Sequence, residues 1–207
     1  MKSYAQNGQD EWVLKETLNK TNGYFVDFGA CDGIIFSNSY ILEKEFGWNG
    51  ICCEPNRTYH KDLVLNRPNA LIDFRCVYSS TGKEINFCEV TDFPELSAME
   101  EYVSIKDEHY EKRLKSTSYK VKTISLNDLL EQHKAPYDID FLSIDTEGSE
   151  FDILNNFNFE KYNVKLITVE HNWTPSRIKI FDLLVTNGYE RVHIEQSRWD
   201  DWYIKKG

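Results

Sequence analysis

Two apolar runs in this chain end in side chains able to react. Residues 139–144 lead into Asp145-Thr146-Glu147-Gly148, and residues 164–170 end in Glu170, followed by His171-Asn172. A histidine titrates near neutral pH, so His171, supported by Asp145 and Glu170, could take a proton from a bound substrate. The same two carboxylates offer hard oxygen ligands to one divalent cation such as Mg or Mn, with open positions left for the substrate. The structural alternative is plain. Asp145 and Glu147 would favour the dipole of a following helix, and His171 would be a hydrogen-bonded loop residue.

A second constellation suits binding. Residues 24–28 form an apolar run that ends in Asp27-Phe28-Gly29-Ala30-Cys31-Asp32-Gly33, followed by Ser37-Asn38-Ser39 at the start of a helix. The spacing Gly29-x-x-x-Gly33, flanked by aspartates, differs from the glycine pattern of dinucleotide sites. Its carboxylates suit a cationic amino-acid group better than a pyrophosphate. The next run ends in Cys52-Cys53-Glu54-Pro55-Asn56, which puts Glu54 where a ribose diol would lie.

Positioning these groups requires parallel strands whose carboxyl ends meet. Apolar runs at 24–28, 51–54, 70–77, 139–144 and 164–170 alternate with amphipathic segments, the pattern of a doubly wound α/β sheet. Helices are expected over 38–46, from Ser125 with Leu126, Leu129 and Leu130 on one face, and from Thr174-Pro175 to Gly188. Residues 189–195 and 199–205, linked by Gln196-Ser197-Arg198, predict a terminal antiparallel hairpin. Residues 91–118, rich in charge with Lys106, Asp107 and Glu108 at their centre, predict an inserted lid or loop within a single domain spanning 1–207.

Composition narrows the function. A chain of 207 residues with 41% hydrophobic content can bury a core unaided, and no stretch is long and apolar enough to span a bilayer. The polar start lacks the apolar segment of a secretion signal, and five cysteines without metal spacing suit a reducing compartment, so a cytoplasmic protein is expected. A net charge of −10 disfavours nucleic acid as a partner. The sequence leaves the oligomeric state open.

Four blocks carry a resemblance: residues 4–10 (Tyr-Ala-Gln-Asn-Gly-Gln-Asp), 26–30 (Val-Asp-Phe-Gly-Ala), 121–130, and 144–150 (Ile-Asp-Thr-Glu-Gly-Ser-Glu). Together, and in this order, the chain resembles the FkbM-type methyltransferases. The resemblance implies the seven-stranded, mostly parallel, Rossmann-like class I methyltransferase sheet with a C-terminal hairpin. It also implies S-adenosylmethionine as methyl donor and O-methylation, often of a sugar in a glycan or natural product. Gly29 and its neighbours, among them Asp27, Ala30, Asp32, Gly33, Ser37 and Asn38, would hold the methionine part, with Asp145 beside it. Glu54 and Asn56 would lie at the ribose and Cys76 and Val77 at the adenine, while Gln6, Gln9 and Asp10 would close over the donor. The run ending Arg75-Cys76-Val77-Tyr78-Ser79 lacks the acid that many methyltransferases place against adenine. A non-catalytic donor-binding domain of a glycan-assembly system and a nicotinamide-dependent oxidoreductase are the rival readings.

Overall fold

The computed structural model describes residues 2–104 and 109–207; Lys106, Asp107 and Glu108 of the expected insertion lie outside them. The first half runs α1 (Gln9–Glu16), β1 (Tyr24–Phe28), α2 (Tyr40–Phe46), β2 (Asn49–Cys53), α3 (His60–Asn66), β3 (Leu71–Asp73), β4 (Cys76–Tyr78) and β5 (Glu84–Val90). Between β5 and β7 (Ser116–Ser125) lie the short strand β6 (Ala98–Met99), the single-turn helix α4 (Tyr110–Arg113) and two 3₁₀ turns, Pro94–Leu96 and Glu100–Tyr102. The chain then continues through α5 (Leu126–Gln132), β8 (Asp138–Ile144), α6 (Glu150–Asn155), β9 (Asn163–Glu170), α7 (Ser176–Thr186), β10 (Tyr189–Val192) and β11 (Asp200–Lys205).

Two sheets form among the described residues. The larger has the strand order β10-β11-β9-β8-β1-β2-β3, with β11 antiparallel to both of its neighbours and the other pairings parallel. Its strands alternate between two apolar layers, because successive side chains point to opposite faces. Val26, Ile51 and Leu142 pack with α5 to α7, whereas Phe25, Cys52 and Phe141 pack with α1 to α3. This is the doubly wound, mostly parallel sheet of a class I methyltransferase fold. Local sequence sets its boundaries: Ser125 caps α5 by accepting the Asp128 backbone N–H at 3.1 Å, and Gly47 ends α2 in the left-handed region at φ 67°.

Two expectations change in the structure. The run 70–77 is not one strand, because the Arg75 backbone and guanidinium both fold back onto the Asp73 carboxylate. The chain leaves the large sheet there, and β4 joins a smaller sheet of order β4-β7-β5-β6. The third strand of the large sheet therefore does end in an acid, Asp73, but Arg75 and His133 occupy it. The hairpin between β10 and β11 is present with a longer connection than expected, in which Ser197 is buried. No described helix is long and apolar enough to cross a membrane.

Candidate active site

The carboxyl ends of β2, β1, β8 and β9 lie side by side, since Phe28 pairs with Cys53 and Ile144, and Ile144 pairs with Val169. Glu54, Gly29, Asp145 and Glu170 therefore meet at one sheet edge. Gly29 is required by the fold. At φ 76° a β-carbon would stand 2.1 Å from the Asp145 carbonyl oxygen, so its missing side chain lets β1 and β8 close together rather than admitting a ligand.

An open cleft of about 1110 Å³ crosses this edge. Its wall includes Gln6, Asp27, Gly29, Ser37, Asn38, Glu54, Asp145 and Glu170, all expected from sequence. Gln9 lines the adjoining recess and donates to Asp200 at 2.8 Å. Other expected residues support this wall from behind. Asp10 is fully buried and gathers Ser3 Oγ and the backbone N–H groups of Tyr4 and Glu11. Asp32 accepts the N–H groups of Ile34 and Ile35, and Gly33 packs against Arg67. Ala30 is buried in the layer under α1 to α3. Asn56 donates to Pro94 O and Ser97 Oγ, which ties the β2 end to the segment after β5. Cys76 and Val77 are buried in the cores; Pro55, Phe87 and Leu96 supply the cleft's apolar side instead.

At the other end, carboxylate oxygens of Asp145, Glu147 and Glu170 lie within 4.8 Å of one another. Glu170 Oε2 is buried without a partner. Glu147 accepts from Arg113 of α4 at 2.6 Å and from Asn172 Nδ2 at 3.2 Å. Burial pushes Asp145 up to about 7, against a hydrogen bond with Glu170 and helped by Glu150, Asp200 and Asp27, and burial with the neighbouring acids lifts Glu170 well above the usual carboxylate range. Burial and Asp145 raise Glu147 as well, against the pull of Arg113. Burial likewise lifts Glu54 to about 7, against the N–H groups of Asn56 and Cys31 that it accepts.

His171, the expected base, has a different position. Its Nδ1 accepts the Trp173 N–H at 3.0 Å, which leaves the ring proton on Nε2; that atom is buried and stands 3.6 Å from Asp201 Oδ1. Glu170 joins the acid cluster, whereas His171 lies outside it and, with Glu170, lines a neighbouring cleft. Glu147 was singled out from sequence in the Asp145-Thr146-Glu147-Gly148 turn but given no role, and Asn172 and Arg113 were given none; Arg113 carried no signal within its charged segment.

The sheet order, with a cleft across the carboxyl ends of β1, β2 and β8, defines the chain as a class I methyltransferase. The Methyltransferase FkbM domain matches residues 27–200, and the chain belongs to that family of S-adenosylmethionine-dependent enzymes. No curated protein matches it. Among solved structures, precorrin-6y C5,15-methyltransferase from Geobacter metallireducens GS-15 is similar with a TM-score of 0.53 at 12% identity, over 100% of this chain and 93% of that one. A TehB-like SAM-dependent methyltransferase from Corynebacterium glutamicum ATCC 13032 Kitasato aligns with a TM-score of 0.48 at 10% identity, over 98% and 89% of the two chains.

Proposed function

We propose that the chain transfers a methyl group to a hydroxyl of a sugar or glycan, with the Asp145–Glu147–Glu170 cluster as the base. The observation that carries this reading is the meeting of three acids, each raised by burial above the usual carboxylate range, with the cleft at the ends of β8 and β9. A hydroxyl is a weak nucleophile until it loses its proton, and a base titrating near the working pH removes that proton most effectively. S-adenosylmethionine, when bound, supplies an electrophilic methyl group on a sulfonium.

The residues present fit that donor. Glu54 lies on the cleft wall with acceptor capacity left on both carboxylate oxygens for a ribose diol. Asn38 Oδ1 is buried on the same wall without a partner and would accept from an ammonium group. Phe87 and Leu96 offer adenine an apolar face. On this reading Glu54→Ala weakens S-adenosylhomocysteine binding by at least about tenfold in calorimetry, since a charged hydrogen bond contributes about 1.5 to 3 kcal/mol. Unchanged affinity removes the ribose assignment.

A second version has a divalent cation between Asp145, Glu147 and Glu170, favoured by their proximity and by the unpartnered Glu170 Oε2. The ion would orient the acceptor hydroxyl and lower its pKa. Chelation followed by Mg or Mn addition separates the versions, because the proton-sharing cluster works without the ion.

A further inference from the structure

Beside the donor cleft lies a second one of about 930 Å³, and Glu147, Glu170 and Asn172 line both. Its outer wall is the turn between β9 and α7, where Trp173 is 63% exposed, an unusual state for so large an apolar side chain. The backbone is held there against its preference. Asn172 and Trp173 both adopt positive φ, 41° and 55°, and such residues persist only where their surroundings enforce them.

The enforcing contacts are specific. The Trp173 N–H is held by His171 Nδ1, the backbone N–H groups of His171 and Asn172 both donate to Trp199 O, and Thr174 N–H returns to His171 O. Arg177 lies 4.7 Å from the centre of the indole and is fixed by two hydrogen bonds to Asp201, at 2.9 and 2.7 Å. A rigid aromatic side chain is thus backed on one side and open on the other. Thr174, Asn172 and two members of the acid cluster, Glu147 and Glu170, line the same space, with Asp145 in the adjoining donor cleft.

We propose that this second cleft is the acceptor site and that Trp173 is a stacking platform for a pyranose ring, which directs one of its hydroxyls at the acid cluster. A sugar ring has an apolar C–H face and a rim of hydroxyls. An exposed indole beside carboxylate and amide groups recognises both at once. His171 acts through Trp173 as a positioning residue that fixes the platform's turn. The assignment rests on the sugar-methylation reading above and adds to it the location and ring chemistry of the acceptor.

The test uses the full chain with saturating S-adenosylhomocysteine and a panel of methyl pyranosides of glucose, galactose, mannose, rhamnose and fucose, with phenol as a planar comparison. Binding to the wild type is followed by the NMR shift of the Trp173 indole N–H, assigned through Trp173→Phe, and the affinities of wild type and variants are measured by calorimetry. The expected result is a saturable shift with at least one pyranoside and none with phenol. Trp173→Ala should weaken that pyranoside about ten- to hundredfold, equal to about 1.4 to 2.8 kcal/mol, and Trp173→Phe by less. S-adenosylhomocysteine affinity should be unchanged in both variants, which also shows that they fold. No pyranoside binding, binding of phenol alone, or equal pyranoside affinity in Trp173→Ala overturns the platform. A pyranoside that binds on Trp173 but is never methylated upholds the platform and fails the methyl-transfer reading alone.

Discussion

Asp145→Asn is expected to lower kcat by about 10²- to 10⁴-fold, the usual cost of losing a general base, while S-adenosylhomocysteine affinity changes little. The wild-type pH profile should rise through about pH 7, because burial raises Asp145 to about 7 and only its ionised form accepts a proton. Stability should move the other way. A carboxyl whose folded pKa lies above its unfolded value binds more protons in the folded state, so its contribution is present below about pH 4 and lost as pH rises toward 7. Asp145→Asn should flatten that slope in denaturant titrations between pH 4 and 7. A variant with wild-type kcat and an unchanged pH profile would assign the catalysis to alignment of the reactants alone.

The second large effect is on stability. Arg67 is fully buried, donates to Glu43 at 2.6 Å and to Ser39 Oγ at 3.0 Å, and Ser39 in turn donates to Asp27 on the cleft wall. Arg67→Met leaves the Glu43 carboxylate buried and uncompensated, which costs about 3 to 5 kcal/mol. For a chain of this size that lowers Tm by about 6 to 20 °C. Adding Glu43→Met should recover most of the loss, since the orphaned charge rather than the missing contact is what destabilises. A single variant within about 1 kcal/mol of wild type, or a double variant less stable than the single, would contradict this account of the layer beneath the Gly29 turn.

The parts legible in the sequence share one physical basis. Strands β1, β2, β8 and β9 are buried on both faces, so they read as apolar runs, and the polar residues that end them had to lie at one sheet edge. Glu54, Asp145 and Glu170 were placed at that edge in this way. The small sheet was not found, because β5 and β7 are partly exposed and β7 opens with Ser-Thr-Ser-Tyr-Lys, which carries little apolar period. His171 was placed at the correct strand end, but its engagement with Trp173 N–H and Asp201 was not legible, because a run of apolar residues says where a strand stops and not what the next side chain meets. Arg113 meets Glu147 across 34 residues of chain, and nothing local to either residue announces that pairing.

The most direct test of the central claim is methyl transfer itself. The chain is incubated with S-adenosylmethionine carrying a labelled methyl group and the pyranoside panel, and the products are read by mass spectrometry and NMR. The account predicts label on a ring hydroxyl oxygen of a pyranoside that binds against Trp173, with the label lost in Asp145→Asn. Label on nitrogen or carbon, or on a hydroxyl at the same rate in Asp145→Asn, would contradict it.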